Sequence, residues 1–93
     1  MNKNCVVDLM KQIYPGQEIS DKAVDKFLEL IKELSDKEEA VLNLRYGLTD
    51  GVKVSIDEVA DTYEVSRERI EEVLSVAFKK LRHPTRSNNL FED

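Results

Sequence analysis

The sequence predicts an all-α fold of about five helices. Three observations carry that expectation. The composition is 41% hydrophobic and 35% charged, with no Trp, three Gly and two Pro, which suits Ala/Leu/Glu/Lys-rich helices better than a turn-rich sheet. Apolar residues recur at three- and four-residue spacing rather than alternating. Serines with a glutamate three residues on stand before two of the apolar runs, a helix-opening signature.

The elements follow in order. Val6, Val7, Met10 and Ile13 give helical spacing over Asn4–Tyr14, and Pro15-Gly16 stops that helix. Ser20 or Asp21 caps a second, whose stripe is Ala23, Val24, Phe27, Leu28, Leu30, Ile31 and Leu34. Ser35-Asp36-Lys37-Glu38 opens a third as a capping box. Its inward residues are Ala40, Val41, Leu44 and Tyr46, and Gly47 ends it. Leu48 to Val54 holds the turn cluster Thr49-Asp50-Gly51 and reads as a loop. Ser55-Ile56-Asp57-Glu58 is a second S-x-x-E box, starting a short helix to about Tyr63. After a break at Glu64-Val65, Ser66 caps a long last helix with Ile70, Val73, Leu74, Ala77, Phe78 and Leu81 inward, and Pro84 ends it. Leu90 and Phe91 are placed to fold back.

Several function classes drop out. With 93 residues there is room for one core. The single Cys5 cannot form an internal disulfide and reads as a packing residue, which suits a reducing compartment. No apolar run reaches the ~18 residues that span a bilayer, and Met1-Asn2-Lys3-Asn4 does not begin a signal peptide, so a cytoplasmic location and no membrane partner are expected. His83, the only histidine, makes no zinc site with Cys5 and reads as a helix C-terminal cap. Tyr14, Tyr46 and Tyr63 read as core edges. No phosphate loop, nucleophile elbow or metal-ligand cluster is present, so neither an enzyme nor a cofactor is expected.

The short helix, tight turn and longer helix, with Ala60 facing Ile70 across a bend near Val65, have helix-turn-helix spacing. The second helix would present its N-terminal end, where free N–H groups favour phosphate. Here the residues resemble a known family. Leu34-Ser35-Asp36-Lys37-Glu38-Glu39-Ala40-Val41-Leu42-Asn43-Leu44-Arg45-Tyr46-Gly47-Leu48 is similar to the region 4.1 signature of primary sigma-70-type RNA polymerase sigma factors. Ser55-Ile56-Asp57-Glu58-Val59-Ala60 followed by Val65-Ser66-Arg67-Glu68-Arg69-Ile70 resembles region 4.2, and Lys79-Lys80-Leu81-Arg82-His83-Pro84-Thr85-Arg86-Ser87 that family's closing run. The resemblance covers residues 34–87, which leaves 1–33 as N-terminal helices packing on that domain and 88–93 as a tail.

The resemblance implies a domain that reads the −35 promoter element in double-stranded DNA and docks on the polymerase β flap. Arg67 and Glu68 fall where the family contacts base edges; Arg suits guanine O6/N7 and Glu the cytosine amino group. Lys37, Arg45 and Ser55 fall on phosphate-contacting positions, and Lys79 joins them as a phosphate anchor. Phe27, Leu28, Ile31 and Leu44 are candidates for the flap-accepting groove.

Two departures matter. The family continues with a basic and an amide residue where this chain has Glu71 and Glu72, and with a lysine where it has Val76. At ~100° per residue, Arg67, Glu68, Glu71, Glu72, Ser75 and Lys79 share the face opposite Ile70, Val73 and Ala77, so two cations and three carboxylates would meet the groove. The net charge of −5 points the same way. One reading keeps DNA recognition with altered preference and help from polymerase; the other keeps the fold for protein contacts with the flap or an anti-sigma factor. Nothing resembles region 2, so half of a split factor with a region 2-like partner, a stand-alone regulator and a domain of a longer protein are the forms this chain could take. Met1 weighs against the last.

Overall fold

A computed structural model describes residues 1–83 and 90–91. It is all-α: α1 (Lys3–Ile13), α2 (Asp21–Ile31), α3 (Asp36–Tyr46), α4 (Ile56–Tyr63) and α5 (Arg67–Arg82), with no strand among the described residues.

Each helix begins where a short polar side chain satisfies a free backbone N–H. Asn2 accepts from Cys5 N–H at 3.0 Å and Ser20 from Ala23 N–H at 3.1 Å. At α3 the capping box closes in both directions: Ser35 Oγ accepts from Glu38 N–H at 3.2 Å, and Glu38 Oε1 from Ser35 N–H at 2.9 Å. The second expected box is only half formed. Ser55 Oγ accepts from Glu58 N–H at 3.2 Å, but Glu58 stays exposed and makes no return bond. Ser66 caps α5 by accepting from Arg69 N–H at 3.2 Å.

The termini obey the same logic. Tyr14, just before Pro15, caps the end of α1. Gly47 ends α3 at φ 62°, where an added Cβ would lie 2.8–2.9 Å from the backbone of Val52. His83 is the cap residue of α5, its N–H bonded to Lys80 C=O at 3.3 Å. Pro84 and the Thr85-Arg86-Ser87 part of the closing run lie outside the described residues.

The core is one cluster drawing on all five helices, with Val6, Leu9, Met10, Phe27, Val41, Leu42, Leu48, Val59, Ile70 and Leu81 fully buried. Three of these correct the periodic reading. Leu9 and Leu42 lie outside the expected stripes of α1 and α3, and Leu48 sits in the expected loop but is buried there. The reason for α3 is that it packs against α1, α4 and α5, so its apolar residues surround it instead of forming a stripe.

The first helix is fastened at both ends. Asn2 N–H donates to Leu48 C=O at 2.6 Å, and Lys53 lies 3.8 Å from Asp8. At the other end Tyr14 Oη donates to Leu81 C=O at 2.6 Å and Arg82 Nε to Ile13 C=O at 3.2 Å. Tyr14 also meets Phe27 and Phe91 edge-on, at centroid distances of 6.0 and 5.4 Å, and Leu90 is buried, so the expected return of the tail is seen at those two residues. Lys3 pairs with Asp21 between α1 and α2.

Candidate nucleic-acid interface

The turn between α4 and α5 is built by Glu64, whose backbone takes the left-handed conformation (φ 55°, ψ 43°). It is the one non-glycine residue at positive φ among those described. This reversal lets Val65 N–H reach Ala60 C=O at 3.0 Å, and the chain leaves toward Ser66 at a new angle. Val59, Ala60 and Ile70 are buried and Val65 packs against them, so the two helices are held as one bent unit. They do not fuse into a rod.

That bend leaves the first turns of α5 in solvent. Arg67, Glu68, Glu71, Glu72, Ser75 and Lys79 are all exposed, as the helical wheel expects, while Ile70, Val73, Leu74 and Ala77 face the core. Exposure did not leave the arginines of this face free. Arg67 Nε donates to Glu71 at 3.0 Å, and its Nη1 reaches Asp57 on α4 at 3.4 Å. The bond from Glu71, followed by the field of Asp57, holds the Arg67 guanidinium above its ordinary pKa. Arg69 Nη1 bonds Glu72 at 3.1 Å.

The expected phosphate anchors divide. Lys37 is exposed and shares a shallow cleft with Ser35, Glu38, Arg69, Glu72, Val73 and Val76, which brings α3 against the front of α5. Ser55 is exposed at the first turn of α4, and Lys79 is exposed further along α5. Arg45 is half-buried: its Nη1 donates to Val54 C=O at 3.3 Å and its guanidinium sits 5.5 Å from the Tyr46 ring. Its charge therefore braces the strand of chain entering Ser55.

Behind this surface, Lys80 Nζ donates to both oxygens of Glu38 at 2.9 Å, joining α5 to the capping box of α3. Burial pushes the Glu38 carboxyl up, but the bonds from Lys80 and Ser35 outweigh it and hold the group below its ordinary 4.5.

Of the four candidates for a docking groove, only Leu28 and Ile31 share one, a shallow groove on α2 that Phe27 and Leu44 do not line. Phe27 is fully buried and Ile31 is 2% exposed, so both belong to the core, and Phe27 offers a partner no surface. Leu28 and Leu44 are half-buried; Leu28 lines a shallow groove with Met1, Asp25, Glu29 and Glu39, and Leu44 is not part of it. The stripe reading could not separate core from rim on α2, because both lie on one helical face.

Asp57 and Arg69 are the residues the sequence reading passed over. Arg69 and Glu72 stand three apart on one helix, which signals their pairing. Asp57 and Arg67 meet across two helices, and no local spacing announces that.

The fold and the exposed front of α5 thus define a helix-turn-helix domain. The chain belongs to the sigma-70 region 4 family, whose model matches residues 30–83, a family of non-enzymatic DNA-binding modules. Over 66 residues it is 42% identical to the RNA polymerase sigma factor SigA of Clostridium acetobutylicum, an alignment covering 71% of this chain and 18% of that protein. The chain therefore spans less than a fifth of the length of that curated relative. No helix among the described residues is long and apolar enough to cross a membrane, and no group of three or more His, Cys, Asp or Glu among them is arranged to hold a metal ion.

Proposed function

We propose that this chain reads a −35-type promoter element in double-stranded DNA, acting together with RNA polymerase in the cytoplasm. The observation that carries the reading is the bent α4–α5 unit with Arg67 and Glu68 exposed on the first turn after Ser66. In the mechanism that follows, α5 enters the major groove by its N-terminal end. Arg67 addresses guanine O6/N7 and Glu68 a cytosine amino group. Lys37, Lys79 and the Ser55 hydroxyl hold phosphates, while Arg45 adds positive potential from the side.

Glu71 and Glu72 weaken this contact, since two carboxylates face a phosphate-lined groove. A domain delivered by polymerase tolerates weak intrinsic affinity, because tethering raises its effective concentration. The same observation favours a second reading: with Arg67 and Arg69 paired to carboxylates, the surface would serve protein contacts, on the β flap or an anti-sigma factor, without reading bases.

Titration of a −35-type duplex and a scrambled duplex across a salt series separates the two. The first reading expects sequence preference lost in Arg67→Ala, and a salt slope near −3, about −0.9 for each of a handful of phosphate contacts. No duplex binding at any salt, with capture of the β flap retained, would replace it by the second.

A further inference from the structure

We propose that Asp57 and Glu71 divide the Arg67 guanidinium between them, Glu71 positioning it for guanine and Asp57 competing with guanine for it. The inference rests on the DNA-reading function and names the residues that set its selectivity.

Guanine O6 and N7 accept two parallel N–H bonds from one edge of a guanidinium. Arginine has two such edges, Nε with Nη2 along the side and Nη1 with Nη2 at the end. Glu71 takes Nε at 3.0 Å, an i,i+4 contact on α5 itself. Asp57 takes Nη1 at 3.4 Å from the first turn of α4. Nη2 has no partner among the described residues. Each edge therefore has one donor engaged, and Arg67 cannot make a bidentate contact until one carboxylate lets go.

The two are not equal. The Asp57 contact is the longer and crosses from another helix, so it yields first. Its departure frees the end edge while Glu71 still fixes Nε, leaving Nη1 and Nη2 directed outward on a side chain with fewer rotamers to lose. The three groups are about half or more exposed, so both contacts exchange readily with solvent. Glu71 is a positioning residue and Asp57 a competitor.

Asp57→Asn and Glu71→Gln each remove one negative charge beside the same guanidinium, and a purely electrostatic effect would move both alike. The probe is a short duplex enriched by the wild-type protein from a randomised pool, together with its counterpart carrying 7-deazaguanine, which lacks the N7 acceptor. The ratio of the two affinities should rise about two- to fivefold in Asp57→Asn and fall by a similar factor in Glu71→Gln, the range one exposed ion pair can supply. NMR of the free protein should show a protected Arg67 Nε–H in the wild type and Asp57→Asn, lost in Glu71→Ala, which removes the acceptor. A ratio that moves the same way in Asp57→Asn and Glu71→Gln, or an Nε–H signal unaffected by Glu71→Ala, overturns the division of roles. Failure of the wild type to enrich any duplex overturns the DNA reading and this inference with it.

Discussion

At Glu64 an L-residue carries a left-handed backbone that glycine would adopt without steric cost. The side chain is exposed. Glu64→Gly should therefore raise stability by up to about 1 kcal/mol, the relief of roughly 1–2 kcal/mol of left-handed strain offset by glycine's greater freedom in the unfolded chain. Thermal unfolding would show a midpoint higher by a few degrees; a lower one would mean the strain is absent. Glu38 makes the opposite case, a carboxylate the fold needs charged. Its folded-state pKa lies below 4.5, so its contribution is present above that value and lost as pH falls through the lower one. Glu38→Gln should cost roughly 1–3 kcal/mol at neutral pH, as expected for hydrogen bonds to a charged group. The difference from wild type should shrink in acid when denaturant midpoints are measured between pH 7 and pH 3. An equal loss at both ends would assign the effect to shape instead of charge.

The long helix α5 concentrates its acids at one end: Glu68, Glu71 and Glu72 all lie in the first two turns, where carboxylates also suit the helix dipole. Reversing that choice with Glu71→Arg plus Glu72→Gln should tighten duplex binding at low salt by about tenfold or more and steepen the salt slope by about one phosphate. A change in helix stability without a change in affinity would show that the acids serve only the dipole. Much of this was legible in the sequence, because caps, glycine stops and three- and four-residue spacing are local signals. Ser35, Ser66 and Gly47 each act within four residues of their own position. What escaped has a common physical cause. Leu42 is buried because α3 has three neighbours, Arg45 turns to the Val54 carbonyl, and Asp57 meets Arg67 ten residues on. No periodicity encodes a partner supplied by another segment of the chain.

On the scale of the whole molecule, the family match beginning at residue 30 does not mark the edge of the packed core. Val6, Leu9, Met10 and Ile13 from α1 are at most 3% exposed. Each buried apolar side chain of this size is worth roughly 1.5–3 kcal/mol, against a total stability on the order of 5–15 kcal/mol. A protein lacking residues 1–19 should fail to unfold cooperatively in a circular dichroism melt. The single bond from Tyr14 to Leu81 tests the far end more gently. Tyr14→Phe should lose about 0.5–1.5 kcal/mol at neutral pH. Burial, only partly opposed by Arg82, raises the Tyr14 pKa to about 12, so the wild-type advantage is full below pH 10 and disappears as pH climbs through 12. The link has a consequence for how the chain is made. Tyr14 and Arg82 find partners 67 and 69 positions away, an unusual reach for a small helical protein. On the ribosome the opening helix emerges long before the residues that receive it. Until Leu81 clears the exit tunnel that helix has only α2 and α3 to pack against, so the nascent protein should gain its full protease resistance late.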